Sequence, residues 1–137
     1  MNEESILAWN IIEKTSANLF LTGKAGTGKT TFLKQLKEKS PKRMVVLAPT
    51  GIAAINAGGM TIHSFFQLPF SPYIPGTTFG SGEQKRYQFS KLKRNIIRSI
   101  DLLVIDEISM VRSDLLDAID SVLRQYRKRH DLPFGGV

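Results

Sequence analysis

Three features of the sequence predict an α/β fold, a parallel sheet with helices packed on both faces. Asn18–Thr31 reads N-L-F-L-T-G-K-A-G-T-G-K-T-T, an apolar run, then a glycine-rich loop, then the start of a helical pattern. Arg43–Ala48 and Asp101–Asp106 are apolar at every interior position. Unbroken apolar runs suit parallel strands covered on both sides, and helical periods between them supply the crossovers.

Taken in order, Glu3–Lys14 places Ile6, Leu7, Ile11 and Ile12, with Trp9 among them, near helical spacing, which predicts a helix against the sheet with Trp9 in the core. Asn18–Thr22 is predicted as the first strand. The helix after the loop runs to about Lys39 and stops before Pro41, with Phe32, Leu33 and Leu36 inward and Lys34, Lys37 and Glu38 toward water. Arg43–Ala48 is the second strand. Thr50 is the predicted N-cap of a helix over Ile52–Ala57, and Gly58-Gly59 ends it. A short helix capped by Thr61 follows, through Phe66.

Residues 67–90 change character. Pro69, Pro72 and Pro75-Gly76, then Gly80 and Gly82, predict a long excursion with little regular structure. Its Phe70, Tyr73, Phe79, Tyr87 and Phe89, with Lys85 and Arg86, suit either a stacking surface for single strands or pins to the body. Lys91–Ile100 is a basic amphipathic helix, with Leu92, Ile96, Ile97 and Ile100 inward and Lys91, Lys93, Arg94 and Arg98 outward. Asp101–Asp106 is the third strand. Ser113 is expected to cap a helix to about His130, with Asp114 and Asp117 at its start and Arg124, Arg127, Lys128 and Arg129 at its end, an order that suits the helix dipole. Pro133–Val137 reads as a turn into another strand.

The composition narrows the function classes. A length of 137 residues suits one domain. With no cysteine, a disulfide framework, a thiolate metal site and a cysteine nucleophile are excluded. No apolar run approaches ~18 residues, so no membrane-spanning helix is expected. The acidic start, Met1-Asn2-Glu3-Glu4, lacks a signal-peptide pattern, and an intracellular location is expected. A net charge of +7 favours a polyanionic partner such as nucleic acid without requiring one. Two distant histidines, His63 and His130, lack metal-ligand spacing.

The chemistry concentrates in two places. Gly23 to Thr30 spells G-x-x-x-x-G-K-T between an apolar run and a helix, the context of a phosphate-binding loop. Glycines bring backbone N–H groups toward an anion, and the helix start adds its dipole and unpaired donors. The candidate nucleotide-binding residues are Gly23, Ala25, Gly26, Thr27, Gly28, Lys29, Thr30 and Thr31. Lys29 is suited to the β/γ-phosphates of a nucleotide and the Thr30 hydroxyl to Mg²⁺. At the carboxyl end of the third strand, where ligands bind in open α/β sheets, Asp106 is the candidate partner of Thr30 on Mg²⁺. Glu107 is placed to take a proton from an attacking water.

Three blocks, G-K-A-G-T-G-K-T, A-P-T-G-I-A-A-I-N-A-G-G-M-T-I-H-S-F-F and D-E-I-S-M, resemble the first three motifs of the PIF-type 5′→3′ DNA helicases, superfamily-one enzymes related to RecD. The middle block discriminates, since the others occur in many ATPases. The resemblance spans Leu19 to Phe134-Gly135-Gly136 and implies a RecA-like fold. It implies that Lys29 and the loop bind ATP, that Thr30 and Asp106 hold Mg²⁺, and that Glu107 and Lys29 are catalytic. It also implies contacts to single-stranded DNA from Thr50, Gly51, His63, Ser64 and Phe66. For Thr50 the physical reading agrees, since a helix start can hold a phosphate without reading sequence. His63 suits DNA contact and packing under the loop equally.

Two departures from the family's pattern carry expectations. No glutamine precedes Gln35, so no residue is assigned to read adenine. The family's next strand inserts between the loop strand and the Asp106 strand, so a gap at the sheet centre is expected, with that strand following Val137. A second RecA-like domain, also outside this chain, supplies an arginine and half of the DNA track, so the 137 residues alone are expected to turn over ATP weakly and not to unwind DNA. A monomer is expected, located in the cytoplasm with the nucleoid in a bacterium, or in the nucleus or mitochondria of a eukaryote. The alternative is a non-motor nucleotide switch. No N-K-x-D supports a GTPase, and no L-S-G-G-Q supports an ABC-type ATPase.

Overall fold

The computed structural model describes residues 2–23, 28–68 and 89–137. Its frame is a parallel sheet of three strands in the order β2-β1-β3, with β1 at Met44–Ala48, β2 at Met60–Thr61 and β3 at Leu102–Ile105. Met44–Leu47 of β1 stand opposite Leu102–Ile105. Asp106 N donates to Leu47 O at 2.8 Å and carries the pairing one residue past β3.

The strands are apolar on both sides because both are covered. Helix α1, Glu3–Lys14, is capped by Asn2 Oδ1, which accepts from Ser5 N. With helix α2, Lys29–Lys39, it forms a small core of Ala8, Phe32 and Leu36, against which Trp9, Ile12, Met44, Leu102 and Val104 pack. Trp9 meets Phe32 edge-on at 6.4 Å, as expected of a core residue. The alternate residues Val45, Leu103 and Ile105 turn to the other face. The larger core there gathers Leu47, Ile62, Phe65, Phe66, Ile97, Ile100, Ile119 and Leu123. It is built from helices α4 (Ile62–Phe66), α5 (Lys91–Ser99) and α6 (Ser113–Tyr126). The three-layer parallel architecture is therefore as the sequence predicts.

Helix α3, Gly51–Ala57, starts at Thr50, whose hydroxyl accepts from Ala53 N at 3.2 Å, and ends at Gly58 with φ +70°. The next residue brings the chain back beside β1. A Cβ on Gly59 would lie 2.1 Å from Val46 O, so only glycine permits that approach. This close return makes β2, a two-residue strand that no periodicity reveals. Thr61 and Ser90 cap α4 and α5 in the same manner, by accepting from Ser64 N and Lys93 N.

Several expectations need correction. Asn18–Thr22 is not a strand. Its apolar residues are uncovered, with Phe20 72% exposed. Leu19, Phe20 and Leu21 share the lining of an open cleft of about 650 Å³ with Leu102–Ile105 of β3. The segment thus faces β3 across a space instead of a ladder, and among the described residues the outer edge of β3 is unpaired. The open cleft is why β3 is only half-buried. Ile6 and Leu7 of α1 and Leu92 of α5 are exposed rather than inward, and Ile96 sits at the margin. Lys37 and Lys93 do not simply face water. Lys37 Nζ donates to Ala57 O and Gly58 O, and Lys93 Nζ lies 4.2 Å from the centre of the Phe65 ring.

Helix α6 begins with Ser113 inside it, Arg112 being the N-cap, and it ends at Tyr126 rather than near His130. Lys128 takes φ +56°, which reverses the chain. Pro133–Gly136 is a 3₁₀ turn, in keeping with the turn expected there. Asp120 Oδ1 holds it by accepting from Phe134 N at 2.6 Å. The excursion at about 67–90 falls largely on residues 69–88, outside the described residues, except that Phe89 is buried edge-on against Tyr126 at 4.8 Å.

Candidate functional site

Gly28 sets the entry to α2. Its φ of +94° is left-handed, which suits glycine, and Phe32 N returns to Gly28 O at 2.8 Å to close the first helical turn. Helices α1, α3, α4 and α5 each carry a side-chain cap, whereas among the described residues no side chain caps α2 and no acidic residue stands in its first turn. Among the described residues no side chain accepts from the first-turn amides of α2. A helix start next to Lys29, Thr30 and Thr31 suits an anion. Lys29 Nζ donates back to Gly23 O, so its ammonium lies across the base of the loop. Ala25, Gly26 and Thr27 lie outside the described residues.

The second cluster is set by β3. Asp106 follows the strand directly, and its Oδ1 accepts from Glu107 N at 3.0 Å, which orients the carboxylate. Glu107 takes φ +53° and ψ +46°, a left-handed backbone in a residue that has a Cβ. Such a conformation costs on the order of 1–3 kcal/mol and clusters at functional sites. It turns the chain sharply into a 3₁₀ turn over Ile108–Met110 and leaves Glu107 exposed.

Lys29 and Thr30 from α2 and Asp106 and Glu107 from the end of β3 line the same cleft, together with Thr50 and Ile52. A hydroxyl and a carboxylate are hard oxygen donors and fit Mg²⁺, which takes one or two protein ligands and completes its shell with phosphate oxygens and water. Among the described residues no group of three or more His, Asp or Glu side chains gathers for an all-protein metal cage.

The candidate DNA residues divide. Gly51 and Ser64 are exposed, and Thr50 and His63 are partly so. The Thr50 hydroxyl already accepts from Ala53 N, so toward a ligand it offers its proton. Phe66 is a correction. It is 1% exposed, packed edge-on against Phe65 at 4.9 Å in the larger core, and it presents no face for a base. The apolar side chains that α3 does expose are Ile52 and Ile55, which the sequence reading did not single out. Their spacing of three residues on a helix with little hydrophobic cover was the available signal.

The family model described as PIF1-like helicase matches residues 3–137. The ATP-dependent DNA helicase PIF1 of Saccharomyces cerevisiae is 38% identical over 144 aligned positions, covering 98% of this chain and 15% of that protein. The crystal structure of a Bacteroides Pif1 in complex with ADP-AlF4 superposes with a TM-score of 0.89 at 51% identity, covering 99% of this chain and 30% of that one. The Bacteroides Pif1 bound to ssDNA gives 0.87 at 51% identity, with 99% and 30% covered. The chain therefore spans less than a third of each of these relatives.

Proposed function

The chain belongs to the PIF1-like helicase family, and from that premise we propose that it carries the ATP site and part of the single-stranded DNA track of an ATP-dependent 5′→3′ DNA helicase. The observation that carries the proposal is the shared cleft, in which Lys29 and Thr30 stand with Asp106 and Glu107. ATP hydrolysis at such a site depends on positioning and on charge stabilisation. The uncapped start of α2 and the loop from Gly23 to Thr31 hold the phosphates through main-chain N–H groups. Lys29 exchanges Gly23 O for a β/γ-phosphate oxygen. Thr30 Oγ1 and Asp106 hold Mg²⁺, which when bound with ATP neutralises charge on the transferring phosphoryl group. Glu107 orients the attacking water and accepts its proton.

Single-stranded DNA is proposed to run past Thr50, Gly51, His63 and Ser64, contacted through its phosphates and so without sequence readout. A Bacteroides relative is described with ssDNA bound, which supports this choice of polyanion over others that a charge of +7 would attract. A second domain of the same fold is expected to complete the motor.

The test is Glu107→Gln in the full-length helicase. Nucleotide binding, followed with a fluorescent ATP analogue, is expected to persist, while hydrolysis falls by about 10²–10⁴-fold, the usual contribution of a positioned base. Turnover that survives the change would remove Glu107 from that role. Stimulation of the wild-type ATPase by single-stranded DNA separates a motor from a nucleotide switch.

A further inference from the structure

The ammonium of Lys37 links the two halves of this site. Lys37 lies in the last turn of α2, eight residues beyond Lys29, or about 12 Å along the helix. Its Nζ donates to Gly58 O at 2.7 Å and to Ala57 O at 3.2 Å. These carbonyls stand at the C-terminal end of α3, where unpaired acceptors and the negative end of the dipole favour a cation. The fit is close, since a Cβ on Gly58 would lie 2.4 Å from the Lys37 Nζ. Helix α3 then runs back for seven residues to Gly51 and its cap Thr50. One helix thus begins at the phosphate loop and ends on Lys37, and the other begins at the DNA residues and ends on the acceptors of Lys37.

Among the described residues neither core joins these helices. Phe32 and Leu36 of α2 belong to the small core with Ala8, while the buried Ala54 and Ala57 of α3 belong to neither core. Among the described residues the hydrogen bonds between α2 and α3 are those of Lys37. A displacement of α2 on phosphate binding has this charge-assisted contact as its direct path to α3, the sheet being the indirect one.

We propose that Lys37 is a positioning residue that couples nucleotide state at α2 to the grip of α3 on single-stranded DNA. This rests on the ATP and DNA roles proposed above, and it adds a residue that touches neither ligand.

The experiment compares wild type, Lys37→Met and Lys37→Arg in the full-length helicase. Affinity for a fluorescent oligothymidine is measured by anisotropy without nucleotide and with ADP-aluminium fluoride, and DNA-free ATP hydrolysis is measured alongside. In Lys37→Met, DNA-free hydrolysis and nucleotide-free DNA affinity are expected to stay within about twofold of wild type. The ratio of the two DNA affinities should fall toward one by at least about fivefold, within the usual range of coupling between sites. Lys37→Arg, which keeps the cation, should recover most of that ratio. An unchanged ratio in Lys37→Met overturns the proposal. So does a loss of DNA-free hydrolysis and nucleotide-free affinity with the ratio kept, the mark of a merely structural residue. If wild type binds neither ligand, the ATP and DNA roles themselves fail, and if it binds both with a ratio of one, the coupling proposal fails; the wild-type measurements alone separate the two.

Discussion

Replacing Arg127 with methionine should destabilise the domain by about 3 kcal/mol, and the reasoning is specific to where its guanidinium sits. Arg127 follows the last residue of α6. Its Nε donates to Gly135 O at 2.9 Å, and its Nη1 donates to Ile97 O at 2.9 Å, Arg98 O at 3.1 Å and Ile100 O at 2.9 Å. The last three carbonyls are at the C-terminal end of α5, and Gly135 is in the turn that closes the chain. One side chain therefore ties α5, α6 and the terminal turn together. Nη1 has only two protons for three acceptors, so with Nε the set amounts to three full hydrogen bonds rather than four. A hydrogen bond to a charged donor contributes about 1.5–3 kcal/mol, and partial exposure of the group argues for the lower part of that range. Some re-solvation of the carbonyls brings the total to about 3 kcal/mol, with methionine preserving most of the apolar stem. Burial, and after it the nearby Arg129, hold the Arg127 pKa below its ordinary value, while the Asp101 carboxylate pulls the other way. The carbonyls are the groups that accept hydrogen bonds from the cation there. Lysine should recover only part of the loss, since a single ammonium cannot replace a planar fork reaching two elements at once. Urea unfolding of the three proteins, read by circular dichroism, measures the difference. A loss below about 0.5 kcal/mol for methionine would mean that water serves these carbonyls as well as arginine does, and the account would be wrong.

Gly59→Ala should cost about 1–3 kcal/mol or more, because its Cβ would meet a main-chain oxygen that has no room to yield. Gly51→Ala, with nothing within 4 Å, should be near neutral, and equal unfolding midpoints for the two variants would contradict this. The Asp101 carboxyl is held below the usual carboxylate range, first by the backbone N–H of Arg43 and further by the Arg43 side chain and Lys42. A depressed folded pKa means a contribution that is present above the unfolded value, about 3.9, and is lost as pH falls through the folded one. Asp101→Asn should therefore reduce the loss of stability between about pH 6 and pH 3, and identical pH profiles would refute it.

Much of this arrangement was legible because local chemistry and tertiary packing agree. Thr50, Thr61 and Gly58 mark helix ends that the structure keeps, and the apolar runs of β1 and β3 pack against helical layers on both faces, β1 the more deeply. Lys29, Thr30, Asp106 and Glu107, far apart in sequence, could be paired because a phosphate loop needs an acidic strand end opposite it. What was not legible depends on partners. Leu19-Phe20-Leu21 has the composition of a strand, but a strand needs a ladder, and the space beside β3 holds none among the described residues. Helical periodicity continues past Tyr126, yet the left-handed turn at Lys128 and the reach of Arg127 stop the helix. Leu92 fits the inward pattern of α5 and is exposed, since the helix meets the core only near Ile97 and Ile100. Phe66 follows a DNA-contact motif, but its ring volume is needed inside.

Glu107 shows a conflict between durability and work. Its left-handed backbone is one that glycine adopts freely and glutamate does not. On the role proposed for its carboxylate, Glu107→Gly would relax the torsion and abolish hydrolysis. Under that proposal the sturdier polypeptide and the reaction call for different side chains here, and the chain carries the less comfortable one.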